Sequence, residues 1–151
     1  MLLSLIRKLL ILIILFSCFN AHSAVSQSSH CHIVKPAHDV FGTLLSRYVR
    51  GGQIDYKGWH KNEKDRSALE SYVKNVAGYC LDELKQLQKP AQLALLLNLY
   101  NAAVIDLVLK NFPLQSINDI RAGSTGAFDI AWIDTGWVQA NKLSLNHLEN
   151  K

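Results

Sequence analysis

Two carboxamides three residues apart, Asn98 and Asn101, interrupt the apolar stretch Gln92-Leu-Ala-Leu-Leu-Leu-Asn-Leu-Tyr-Asn101. On a helix they share one face. A buried amide without a partner costs about 1–3 kcal/mol. Two of them in so apolar a run therefore clamp neighbouring backbone, for example an extended segment at residues 53–56, or recognise a ligand. Either reading expects both amides to be largely buried. Other residues invite chemistry less well. His30-Cys31-His32 with His38 offers thiolate and imidazole, which suit Cu or Zn. Adjacent residues rarely converge on one ion, so neither a metal nor another cofactor is expected. Asp134-Thr135-Gly136 is the aspartic-protease triplet, but that reaction needs two such carboxylates sharing a proton. A homodimer would supply the pair, yet a hairpin turn explains the triplet without catalysis. His147 and Glu149 lie together near the C-terminus, and Trp59, Trp132 and Trp137 read as core or rim aromatics.

The chain opens like an exported protein. Arg7 and Lys8 precede an unbroken apolar run at residues 9–16, and small residues follow at Ala21, Ser23 and Ala24. A bilayer span needs roughly 20 apolar residues, so residues 1–23 are expected to be a signal peptide, with residues 24–36 a mobile leader. Leu15-Phe16-Ser17-Cys18 also resembles a lipoprotein box, which makes anchoring through Cys18 the alternative to a free periplasmic or secreted protein. Arg7 and Lys8 are the only charged residues in that leading segment, so cleavage takes the formal charge from +4 to +2. So small and scattered an excess gives no basic face for nucleic acid. After cleavage the remaining cysteines are Cys31 and Cys80. An oxidising compartment favours their pairing, worth up to roughly 4 kcal/mol in the chain-entropy picture; two free thiols are the alternative. A second apolar run, residues 91–109, is interrupted by Gln92, Asn98, Asn101 and Asp106. Asp at mid-span costs about 2.5–3.5 kcal/mol, so a buried core helix is expected there, with no transmembrane span in the mature chain.

The elements that would position these residues follow from periodicity. Val40, Phe41, Leu44, Leu45, Tyr48 and Val49 predict a helix over residues 39–50, with Asp39 as its N-cap and Gly51-Gly52 as its stop. Leu69, Tyr72, Val73 and Val76 predict a second over 65–77, and residues 81–87 a short third. Pro90 suits the first turn of a central helix spanning about 90–111, apolar nearly all round. Residues 116–120 read as a single turn and 122–126 as a loop. Strands at 128–133 and 137–143 would flank a tight turn at Asp134-Thr135-Gly136. A further helix begins near Asn146. The fold class is thus α+β, predominantly helical, with amphipathic helices around a buried central helix followed by a β-hairpin.

Several of these segments together resemble a known family. Tyr48-Val-Arg-Gly-Gly-Gln-Ile-Asp-Tyr56, Leu93-Ala-Leu-Leu-Leu-Asn-Leu-Tyr-Asn-Ala102, Phe112-Pro-Leu-Gln-Ser-Ile117 and Leu143-Ser-Leu-Asn-His-Leu-Glu149 are similar, in that order, to the domain-of-unknown-function 547 family of bacteria and plants. Asn150 stands where that family has His. The resemblance implies that residues 37–151 are the N-terminal part of a truncated domain, lacking a later segment with His and a Cys-Pro pair. It pairs the 53–56 and 93–102 motifs, making Asp55 and Tyr56 the partners of Asn98 and Asn101. Glu149 completes the candidate polar site. A truncated member would be catalytically inactive, at most a binding or scaffolding module. The alternative is one part of a thiol-type cell-envelope hydrolase. Truncation also implies marginal stability, an exposed patch around Trp132 and Trp137, and a protein partner to cover it.

Overall fold

Phe41, Leu44 and Tyr48 recur at helical spacing and form the buried stripe of α1, Asp39–Tyr48, in the computed structural model, which describes residues 37–135, 137 and 142–150. The expected signal peptide, Cys18, Cys31, His30 and His32 lie outside the described residues. Asp39 is not the cap: His38 holds that position, and Asp39 sits in the first turn, where its charge meets the positive helix end. Gly51 and Gly52 both have positive φ, 57° and 79°. Two such residues in a row close a hairpin rather than merely ending a helix. The hairpin pairs β1, Val49–Arg50, with β2, Gln53–Ile54, in the register Val49 to Ile54 and Arg50 to Gln53.

Asp55 then caps a helix the periodicity does not announce, α2, Tyr56–Lys61. Its carboxylate accepts from the Gly58 amide at 2.8 Å. A Cβ on Gly58 would stand 2.2 Å from Asp55 Oδ2, so a side chain there would displace the capping carboxylate. Asn62 caps α3, Glu63–Ala77, whose apolar face is Leu69, Tyr72, Val73 and Val76. A short α4, Leu81–Gln86, leads into α5, Lys89–Lys110, with Pro90 in its first turn. Helix α5 packs chiefly against α3.

The C-terminal half of α5 is the centre of the core, from Ala102 and Ala103 to Leu109. Its N-terminal half is not buried all round. Leu95 and Leu99 face inward, but Leu93 is 58% and Leu97 52% exposed. The helix is long and apolar enough to cross a membrane by length and composition, and half of that stretch is buried inside the fold.

Beyond α5 the elements are short. A 3-10 turn, Ile117–Asp119, is closed by a reciprocal Ser116–Asp119 capping box. The expected loop at 122–126 is a small hairpin, β3, Arg121–Ala122, against β4, Thr125–Gly126. The following pair, β5, Ile133–Asp134, and β6, Lys142–Leu143, is in register Ile133 to Leu143 and Asp134 to Lys142. The expected strand at 128–133 and the turn starting at Asp134 are corrected: β5 begins only at Ile133 and includes Asp134, while Gly136 and residues 138–141 of the expected hairpin lie outside the described residues. Trp137, expected in the second strand, is a bend instead. It is 8% exposed, and its indole Nε1 donates to the Tyr79 carbonyl at 2.6 Å. Trp132 is half-buried, with Lys110 Nζ 5.3 Å above its ring. The expected tryptophan patch is thus not formed by these two residues; among the described residues the large apolar side chains exposed are Val40, Leu93 and Leu97. Helix α6, Leu145–Glu149, follows a Ser144–His147 capping box and buries Leu145 and Leu148 against α5. Among the described residues the fold is α+β and mostly helical, with six α-helices and three two-residue strand pairs.

Candidate functional site

The polar positions divide by where they fall on these elements. At helix starts the first backbone N–H groups lack intrahelical partners. Asp55, Asn62, Ser116 and Ser144 all occupy such starts and accept from them. His147 Nδ1 lies 2.8 Å from Ser144 Oγ, within the same cap. Asn98 and Asn101 sit mid-helix, where the backbone is already bonded to itself. Neither carboxamide makes a hydrogen bond to another described residue.

The expected clamp onto residues 53–56 is therefore corrected. Asn98 is half-buried and Asn101 exposed. The 53–56 segment has no need of them: Asp55 N donates to the Tyr48 carbonyl at 2.9 Å, closing the hairpin, and the Asp55 side chain is held by Gly58. What the structure does bring together is a cleft of about 750 Å³. One wall comes from Phe41 and Leu45 of α1 and from Val49, Gly52 and Ile54 of the hairpin. Asn98, Tyr100, Asn101, Val104, Ile105 and Val108 of α5 form another, and Phe112, Leu114, Gln115, Ser116, Ile117 and Phe128 close it. Tyr56 also lines it, and burial pushes its phenol above the usual range, so it stays a neutral hydroxyl.

Of the five predicted site residues, Asn98, Asn101 and Tyr56 share this cleft. Asp55 is adjacent in sequence but holds a cap, and Glu149 is exposed on α6 and outside the lining. Sequence reasoning did not assign Tyr100, Gln115 and Ser116 to the site. Gln115 and Ser116 were signalled by the Phe112-Pro-Leu-Gln-Ser-Ile117 motif and Tyr100 by the 93–102 motif, and the cleft brings the two together. Among the described residues the lining carries amides, hydroxyls and apolar groups, and no Asp, Glu, Lys, Arg, His or Cys.

Charged groups cluster elsewhere. Asp65, 5% exposed, accepts from Arg47, from Tyr48 Oη at 2.6 Å and from Asn62 Nδ2 at 3.1 Å. The Arg47 hydrogen bond, opposed by burial and aided by Tyr48, holds its carboxyl below the usual range. This network ties α1 to α3 and, with Tyr48 stacked on Trp59 at 4.6 Å, braces the wall behind the hairpin. A smaller cavity of about 150 Å³ is lined by Glu63, Arg66, Ser67, Glu70, Asp106 and Lys110. There the Asp106 carboxylate is 2.8 Å from Lys110 Nζ, an ion pair away from hydrogen-bond geometry. Burial pushes Asp106 up despite that cation.

Among the described residues the remaining candidates do not assemble a site. His38 Nδ1 is 2.6 Å from the Tyr72 hydroxyl, and among the described residues no group of three His, Cys, Asp or Glu side chains is placed to hold a metal. Asp134 is exposed and faces Lys142 at 3.6 Å, while Thr135 Oγ1 accepts from the Trp137 amide. Cys80 is buried at the start of α4; its expected partner, Cys31, lies outside the described residues. Against known proteins, no family model, no curated protein and no solved structure matches the chain.

Proposed function

We propose that this chain is an exported periplasmic protein, similar to the N-terminal part of a domain-of-unknown-function 547 member, that acts by holding a ligand rather than by converting one. The export reading rests on Arg7-Lys8 and the apolar run at 9–16. The binding reading rests on one observation: a cleft of about 750 Å³ whose lining is apolar apart from uncharged amides and hydroxyls. Ligand pockets typically enclose about 300–1,000 Å³ and use a few polar groups among apolar walls. A charged ligand in this lining would meet no opposite charge, at a cost far above that of a neutral one. The ligand is therefore uncharged.

Titration with decan-1-ol, followed by amide NMR, tests the cleft. Shifts should concentrate at Val49, Ile54, Asn101 and Val104, and Val104→Trp, which fills the space, should abolish them while leaving the helical circular dichroism unchanged. Shifts confined to the Leu93 and Leu97 surface would place apolar binding elsewhere and defeat the reading.

A further inference from the structure

Among the described residues, the β1–β2 hairpin has one strand edge unpaired at the cleft. Asp55 N bonds the Tyr48 carbonyl, so Tyr48 and Asp55 are a hydrogen-bonded pair next to the Val49–Ile54 pair. In an antiparallel ladder bonded and non-bonded pairs alternate. The Ile54 N–H and C=O therefore point away from β1, along the free edge of β2. Such an edge is a template for another strand, and Ile54 and Gly52 line the cleft.

The same cleft contains Asn98 and Asn101, each offering a donor and an acceptor with no partner among the described residues. Their Cβ atoms, three residues apart on a helix, are about 5–6 Å from each other. Same-side residues of an extended chain repeat at about 6.7 Å. The two amides are thus spaced to meet successive same-side peptide groups.

Resting on the binding reading above, we propose that the ligand is an extended, uncharged peptide segment. It adds to the β2 edge, its backbone is met by Asn98 and Asn101, and alternate side chains enter the apolar wall. A hydrocarbon chain would instead cover two amides and a strand edge without satisfying them, which is unfavourable. A peptide terminus would bring an unpaired charge into a neutral lining. The segment is therefore internal to a longer chain.

The probe is the capped peptide acetyl-Leu-Ala-Leu-Ala-amide, titrated into the full chain beside its backbone N-methylated analogue and decan-1-ol. The peptide should bind with shifts at Ile54, Asn98 and Asn101, and the N-methylated analogue should bind about tenfold more weakly or worse. Replacing both amides, Asn98→Leu with Asn101→Leu, should weaken the peptide by a similar factor. The N-methylated comparison uses the wild-type protein, so it stands even if that variant misfolds. Equal binding of the two peptides overturns the proposal. Binding of decan-1-ol alone overturns it while sparing the cleft as a ligand site. Binding of none of the three removes both.

Discussion

Replacing Asp65 by Ala removes the acceptor at the centre of the α1–α3 junction. The Tyr48 hydroxyl, on a side chain buried against Trp59, then loses its acceptor at 2.6 Å. An orphaned buried hydroxyl costs about 1–3 kcal/mol. Arg47 adds little, because half of its side chain is in water. The expected loss is about 2–3 kcal/mol, and at roughly 4 °C per kcal/mol for a domain of this size the melting temperature should fall by about 10 °C. Urea denaturation followed by circular dichroism measures it, and Tyr48→Phe provides the cycle. If the two groups are one unit, the double variant loses much less than the two single losses together. Acid titration is an independent check. Asp65 has its folded pKa depressed by Arg47, so its contribution is present above the unfolded value of about 3.9 and is lost as pH falls through the folded value. Asp65→Asn should remove that acid-side loss. Additive losses in the cycle, or an acid limb unchanged in Asp65→Asn, would refute the network as drawn.

Trp137→Phe should cost about 1–3 kcal/mol, because it leaves the buried Tyr79 carbonyl without its donor; a urea midpoint equal to wild type would show that the connection does not depend on this bond. Asp106 has the opposite sign from Asp65: burial raises its folded pKa, so its ionised form costs stability at neutral pH and stability recovers as pH falls through the raised value. Asp106→Asn should flatten that recovery in stability measured between neutral and mildly acidic pH, and an unchanged slope would refute it. Non-reducing peptide mapping of the exported protein should join the Cys31 and Cys80 peptides and find no peptide from residues 1–23; native labelling of both thiols, or an intact mass including Met1, would contradict these two expectations respectively.

The helices were legible because burial on one side leaves a period in the sequence. Phe41, Leu44 and Tyr48, and Leu69, Tyr72, Val73 and Val76, mark their inward faces plainly. In α5 the same reasoning fails, since Leu occurs on every side and periodicity cannot say which Leu is covered. Leu95 and Leu99 are buried, whereas Leu93 and Leu97 are not. The direction of Asn98 and Asn101 was lost with it. Two-residue strands are too short for alternation to register. Trp137 could not be foreseen, because its partner, the Tyr79 carbonyl, is 58 residues away in the chain.

The division among polar residues has a local cause that extends to the proposed ligand. A side chain at a helix start lies within reach of backbone donors that need an acceptor, and Asp55, Asn62, Ser116 and Ser144 meet that need. Sequence singles out Asp55 and Asn98 alike as polar groups in apolar surroundings, but only Asp55 stands where the backbone is incomplete. Asn98 and Asn101 stand where it is complete, so any protein-like hydrogen bond they make must come from another chain or another part of this one. Among the described residues the edge at Ile54, on the cleft's hairpin wall, also has backbone groups unspent, by the alternation that follows from the Tyr48–Asp55 bond. Filling one of these two sets of groups without the other would leave polar atoms covered and unpaired. An extended backbone satisfies both sets at once, which is why the two amides and the hairpin edge argue for the same class of ligand.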